Sequence, residues 1–193
     1  MSEQWRCFVA LDLPADCHAQ LLAIQTELRR LELPIRWSKP ENLHLTLQFL
    51  GNVAVDQLPS LQKSLSTALT TQTAPILSCN TWGYFPDASQ PRVVWAGFEQ
   101  WPTQLLQLQQ TIVACSSQIG LVAEDRPWHP HITLGYVSDR LTKQQLEAVA
   151  SQLQASQWPA HPAAYSTCQL IRSITQPQGS RYQAIETWSI DHA

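Results

Sequence analysis

Two runs decide how this chain is read: "NLHLTLQFLG", residues 42–51, and "WHPHITLGYV", residues 128–137. Each carries a histidine, a threonine two positions later, and then a leucine: His44, Thr46 and Leu47 in the first, His131, Thr133 and Leu134 in the second. In a β-strand successive side chains point to opposite faces, so residues i and i+2 share a side. Leu43, Leu45, Leu47 and Phe49 are expected to anchor the first run in the interior, leaving His44 and Thr46 together on the other face. Ile132, Leu134 and Tyr136 anchor the second in the same way, leaving His131 and Thr133. Each strand then delivers one imidazole and one hydroxyl, roughly 6–7 Å apart along the chain. One His-x-Thr says little, because most strand histidines are surface or satisfied core residues. Two in matching contexts are read as a pair.

Two imidazoles and two hydroxyls around one concavity suit a phosphoester. Imidazole titrates near neutrality, so one ring can accept a proton while the other gives one, each role contributing about 10²–10⁴ in rate. Opening a cyclic phosphate in line requires a base and an acid on opposite sides of phosphorus. Threonine hydroxyls can donate to the nonbridging oxygens, where negative charge gathers. The scheme needs no metal or other cofactor. Which histidine acts as the acid is not readable from spacing. A rival of another class is a noncatalytic RNA-end or nucleotide-binding module with the same pocket. A metal site built from His44, His129 and His131 is a third reading, weakened because no carboxylate or cysteine falls at a supporting spacing.

Working outward, helix and strand signals alternate. "RCFVALDL" reads as a strand with Phe8, Ala10 and Asp12 opposed to Val9 and Leu11. Asp16 can cap a helix through Leu21, Leu22, Ile24, Leu28 and Leu31, and Pro34 ends it. "IRWSKPENLHLTLQFLG" passes through a proline turn into a strand stopping at Gly51, before a helix marked by Leu58, Leu61, Leu65 and Leu69. The strands "APILSCNTWGYF" and "RVVWAGFE" flank the turn-rich "PDASQP". A third helix, with Leu105, Leu108, Ile112, Cys115 and Ile119, closes at Gly120. A fourth, following Thr142, carries Leu146, Val149 and Leu153. "AAYSTCQLIRSI" and "RYQAIETWSI" form the last two strands, joined by "TQPQGS". Helices mixed with antiparallel hairpins predict an α+β fold. With no low-complexity linker between the halves, residues 1–193 are expected to form one bilobal domain.

A chain of 193 residues that is 44% hydrophobic and 14% charged can pack a core. Its 12 basic and 15 acidic residues, net charge −3, argue against a broad phosphate-backbone binder. Any nucleic acid would be held locally, at an end. No apolar run approaches a membrane span, and the N-terminus reads as an immediate strand rather than a leader. Five scattered cysteines without a CxxC pair suggest reduced thiols in a cytoplasmic protein. A phosphate also wants a cation, and Arg36, Lys39, Arg92, Arg126 and Arg172 lie near the motifs, unranked. Arg92, opening a strand after a turn, could reach across the cleft. Tyr136 and His129 are further candidates for substrate contact, although a flanking role is favoured for His129. Of eight tryptophans, Trp37, Trp128 and Trp82 could stack on a base, with core packing the commoner role. His18, His161 and His192 receive no role.

"HLTL" and "HITL" resemble the paired motifs of the two-histidine phosphoesterases. The contexts "RWSKPENLHLTLQFLG", "PRVVWAG" and "RPWHPHITLG" resemble the RNA 2′,3′-cyclic phosphodiesterases, also called 2′-5′ RNA ligases, over nearly the whole chain. The resemblance implies two pseudo-symmetric lobes, antiparallel sheets lining a central cleft and helices outside. It implies hydrolysis of RNA or nucleotide 2′,3′-cyclic phosphate ends to 2′-phosphates by a monomeric enzyme without cofactors. By resemblance His44 would be the proton donor and His131 the proton acceptor, with Thr46 and Thr133 on the phosphate oxygens. Related readings are a 2′-5′ RNA ligase and a cyclic phosphodiesterase acting on a small metabolite. Relatives often carry an arginine after the second motif, in a "TLAR"-like sequence, where this chain has Gly135 and Tyr136. His129 also stands where relatives commonly have another polar or basic residue.

Overall fold

The computed structural model describes residues 3–121, 127–159, 161–177 and 179–191. In chain order the elements are β1 (Gln4–Asp12), α1 (Ala15–Arg29), β2 (Ile35–Trp37), β3 (His44–Ala54), α2 (Leu58–Leu69), β4 (Ile76–Leu77), β5 (Thr81–Phe85), β6 (Val93–Gly97), α3 (Thr103–Gln118), β7 (His131–Val137), α4 (Lys143–Ala155), β8 (Ala163–Ala164), β9 (Thr167–Gln176) and β10 (Gly179–Ser189). The expected proline turn is a short 3₁₀ turn at Pro40–Asn42 that separates β2 from β3, so His44 opens its strand. Two expected strands are each divided in two: the 74–85 run holds β4 and β5, and the 163–174 run holds β8 and most of β9. Conversely, β3 continues past Gly51 to Ala54.

Among the described residues the main sheet runs β10-β9-β1-β3-β7-β6-β5, with β2 also on β7, and its pairings are antiparallel. The α+β reading holds. The two halves of the sheet meet where β3 touches β7, through the single Cα pair Leu45↔Ile132. One face is the core: Val9, Leu45, Leu47 and Leu134 pack there with Leu21 and Leu28 of α1, Leu61 and Leu65 of α2, Leu108 and Ile112 of α3, and Val149 and Leu153 of α4. The opposite face is sparse, with a small cluster of Phe8, Ala10 and Ile171. Four apolar helical stripes cover one side of the sheet and leave the other free to form a cleft. Asp16 lies in the first turn of α1 without capping it, since Pro14 occupies the N-cap. At α4, Thr142 Oγ1 accepts from Gln145 N, and Gln145 Oε1 accepts from Thr142 N.

Phe49 and Tyr136 do not join the anchoring faces expected of them. On β3, Ala10 faces Thr46 but Val9 faces Gln48, so Leu47 is an extra residue and the alternation shifts. On β7, Trp95 faces Thr133 but Val94 faces Gly135, and Leu134 is the extra residue. Such a bulge re-aims every side chain beyond it. Gln48 therefore turns into the core, where its amide donates to Ser116 Oγ at 2.8 Å. Phe49 and Tyr136, 42% and 38% exposed, swing to the cleft side. The two strands thus carry the same series, histidine, threonine and aromatic ring at i, i+2 and i+5.

Candidate active site

His44 and His131 are held by one device used twice. His44 Nδ1 lies 2.7 Å from the carbonyl oxygen of Asn42, and His131 Nδ1 lies 2.7 Å from that of His129. A carbonyl only accepts, so each bond places the proton on Nδ1 and leaves Nε2 available. The Thr46 hydroxyl meets His44 Nε2 at 3.0 Å. Phe8 stacks on the His44 ring at 4.9 Å and Tyr182 meets it edge-on at 5.3 Å. Phe85 meets the His131 ring edge-on at 4.8 Å. Burial pushes His44 down to about 4, against the Asn42 carbonyl, which favours the charged form, and with the charge of His131 adding to the fall. Burial lowers His131 as well, opposed by the His129 carbonyl and assisted by the charge of the His129 ring. Both imidazoles are therefore poised neutral.

A cavity of about 490 Å³ contains His44, Thr46, His131 and Thr133 together, so the expected meeting of the two motifs occurs. Three cations line it, Arg6, Arg36 and Lys39, and among the described residues no aspartate or glutamate does. A chain with net charge −3 has thus assembled a local anion site.

The candidate cations sort cleanly. Arg36 and Lys39 line the cavity, as does Arg6, which lacks any motif to signal it. Arg92 does not: its backbone ties β6 to neighbouring segments, donating to Phe85 O and accepting from Val137 N, while its exposed side chain lies outside the cavity lining. Arg172 sits 4.0 Å over the Trp5 ring, with its guanidinium 3.8 Å from Glu3. Arg126 and His192 lie outside the described residues. Tyr136 lines the cavity; His129 stands beside it, among Phe85, Trp95 and Trp101 at ring distances of 5.0–5.5 Å, and contributes its carbonyl rather than its ring. Trp37 lines the cavity, whereas Trp82 packs on the core against Tyr84. Among the described residues no group of three or more His, Cys, Asp or Glu stands together as a metal site, so His44, His129 and His131 do not form one. Nor is any described helix long and apolar enough to cross a membrane.

Sequence reasoning missed the residues that support the bulges. Trp128, half-buried in one half, donates its Nε1–H to Thr46 O at 3.0 Å in the other. Fully buried Gln25 of α1 donates Nε2–H to Leu134 O at 2.7 Å, at the second bulge, and to Ser38 O at 3.1 Å. Leu134 O also accepts from Ser38 N at 2.9 Å, so Gln25 is its second donor; beside each bulge a side chain distant in the chain ties down the strand backbone. A polar Gln25 among the apolar positions of α1 was the available signal.

An α+β sheet whose open face joins two His-x-Thr strands over an anion cavity defines a two-histidine phosphoesterase. The profile of the LigT-like phosphoesterases matches residues 11–95. The RNA 2′,3′-cyclic phosphodiesterase of Escherichia coli is 36% identical over 137 residues, covering 69% of this chain and 73% of that one. The protein of the same name from Thermus thermophilus is 31% identical over 195 residues, covering 96% and 90%. The crystal structure of E. coli LigT in its apo form superposes with a TM-score of 0.78 at 26% identity, covering 99% of this chain and 100% of that one; LigT has also been crystallised with 3′-AMP and with ATP. The chain belongs to the LigT-like phosphoesterase family.

Proposed function

We propose that this chain hydrolyses 2′,3′-cyclic phosphate ends of RNA or nucleotides to 2′-phosphates. The observation that carries the reading is two Nδ1-anchored imidazoles opening on one cavity lined by cations. Water attacks phosphorus and loses its proton to His131 Nε2 as the P–O3′ bond breaks. His44, protonated on Nε2, gives that proton to the departing 3′ oxygen. Thr46 and Thr133 donate to the nonbridging oxygens, and the cavity's cations balance their charge. The chain acts as one bilobal unit over residues 1–193, as a monomer and in the cytoplasm; five buried, unpaired cysteines support a reducing location. Phosphorus NMR tests the reaction: the resonance of a 2′,3′-cyclic nucleotide should be replaced by that of a 2′-monoester. Persistence of the cyclic signal, or a 3′-monoester product, would refute the proposal.

One observation favours the opposite assignment of the two histidines. His44 has the more strongly lowered proton affinity of the two, which suits a base better than an acid. The donor role requires the bound phosphate monoanion to restore the proton, which an anion against a buried imidazolium does. A cyclic substrate with sulfur in place of the 3′ oxygen separates the assignments, because a thiolate leaves without a general acid. If His44 is the donor, His44→Ala recovers most of its lost rate on that substrate while His131→Ala does not; the reverse pattern exchanges the roles.

A further inference from the structure

The segment that leads into the first motif is pinned at its start and delivers His44 at its end. Ser38 donates its backbone N–H to Leu134 O at 2.9 Å, and its own carbonyl accepts from the fully buried Gln25 of α1 at 3.1 Å. The same amide nitrogen of Gln25 donates to Leu134 O at 2.7 Å, so the segment is fixed there to the strand of the second motif. His44 stands six residues further on, with the Pro40–Asn42 turn between. The turn's own bonds, Asn42 N to Lys39 O at 2.9 Å and Leu43 N to Pro40 O at 3.2 Å, fix its local shape. They do not fix where it sits against the rest of the molecule.

Two side-chain bonds do that. The Asn42 amide donates to Ser180 O of β10 at 3.0 Å. His18 of α1 places Nε2 2.9 Å from Pro40 O, and because a carbonyl only accepts, His18 is the donor. His18 lies seven residues before Gln25, close to two turns of helix, so one face of α1 presents both side chains to the segment. Gln25 holds its beginning at Ser38, and His18 holds the turn.

What the turn carries is the acceptor for His44. Asn42 O takes the Nδ1 proton at 2.7 Å, which fixes the tautomer and keeps Nε2 available for proton transfer. A turn that drifts takes that acceptor away, and the proton can then reside on Nε2, the nitrogen that must stay available. We infer that His18 is a positioning residue for His44, acting through the Pro40–Asn42 turn to keep the Nδ1 proton on its acceptor. The effect on rate rests on the hydrolytic reading above; the effect on the ring rests on the turn alone. His131 provides an internal control, since its acceptor is the carbonyl of His129, in the other half of the sheet.

Nitrogen NMR of the imidazoles and turnover of a 2′,3′-cyclic nucleotide test the inference together, at about pH 7.5, where the lowered His44 and His131 are neutral. In the wild type both rings should show the Nδ1-protonated tautomer. His18→Leu, which keeps side-chain bulk and removes the donor, should shift His44 to a mixture of tautomers and leave His131 as it was. It should lower kcat about two- to tenfold, the range carried by one hydrogen bond to a neutral carbonyl. His18→Gln, which offers an amide N–H at similar reach, should restore most of both. An unchanged His44 tautomer in His18→Leu, an equal change at both histidines, or a glutamine variant no better than the leucine one would overturn the inference. If the wild type turns nothing over while His18→Leu still shifts His44 alone, the hydrolytic reading falls and the positioning of the ring stands.

Discussion

A neutral imidazole enclosed by Phe8 and Tyr182 carries a consequence for both rate and stability. His44 is pushed down to about 4 by burial, and an unfolded histidine titrates near 6.5. Below 6.5 the unfolded chain binds the proton that the folded one refuses, so folding stability is fully present above that pH and is lost as pH falls toward 4. The penalty at the acid end is on the order of 3 kcal/mol. His44→Asn should therefore narrow the drop in melting temperature between pH 7 and pH 4.5, and an unchanged drop would contradict the burial argument. The same shifts set the activity profile. With both imidazoles lowered, the free enzyme holds one proton on the pair mainly below pH 6.5, so the kcat/KM bell should be centred on the acid side of that value. Turnover of His44→Ala and of His131→Ala should fall by about 10²–10⁴ each, with the double variant little worse than either, because two groups acting in one step are not additive.

At the level of the element, the bulges matter more than the strands that contain them. Without Leu47 and Leu134 as extra residues, Phe49 and Tyr136 would point into the core and Arg36 would have no ring to rest on. Trp128 donates to Thr46 O beside the first bulge, and Gln25 donates to Leu134 O at the second. Trp128→Phe keeps most of the packing surface and removes the N–H, so it should cost about 0.5–1.5 kcal/mol in urea unfolding, the net worth of the hydrogen bond to Thr46 O. It should also lower kcat more than it raises KM, because Thr46 and His44 sit on the strand it steadies. A loss confined to stability would reduce Trp128 to a packing residue. Gly135 belongs to the same set: a Cβ there would lie 2.7 Å from Ile35 Cγ2, so the close approach of β2 requires the missing side chain. The "TLAR"-like pattern, with a Cβ at that position, would force the Ile35 and Trp37 side chains, or β2 itself, to shift.

For the whole molecule, one apolar cluster runs from Val9 through Leu105 to Leu170 and draws on all four helices, although only the Leu45↔Ile132 pair links β3 to β7. A shared core under a nearly split sheet predicts cooperative unfolding with a cleft whose walls are separately braced. Urea transitions followed by tryptophan fluorescence and by far-ultraviolet circular dichroism should coincide, and two resolved transitions would mean the halves fold independently. Leu45→Ala, at the junction and fully buried, should cost about 2–5 kcal/mol in the same experiment.

Much of this was legible in the order of residues alone. The period of two around His44 and His131, the helical spacing of Leu61 and Leu65 or Leu105 and Leu108, and the turn residues between them are local signals. They determined the α+β class and the pairing of four site residues, because side-chain direction in a regular element depends only on sequence spacing. Alternation also misled, at Phe49 and Tyr136, since a bulge is set by how two strands pair and not by either strand's own pattern. Arg36 and Arg92 were indistinguishable as letters; only the pairing of β2 with β7 turns one into the cavity and leaves the other outside. Arg6 and Tyr182 line the cavity with His44 from 38 and 138 residues away in the chain, and Gln25 and Trp128 reach the carbonyls they bind across 109 and 82. Contacts at that separation are decided by packing, and no local rule contains them.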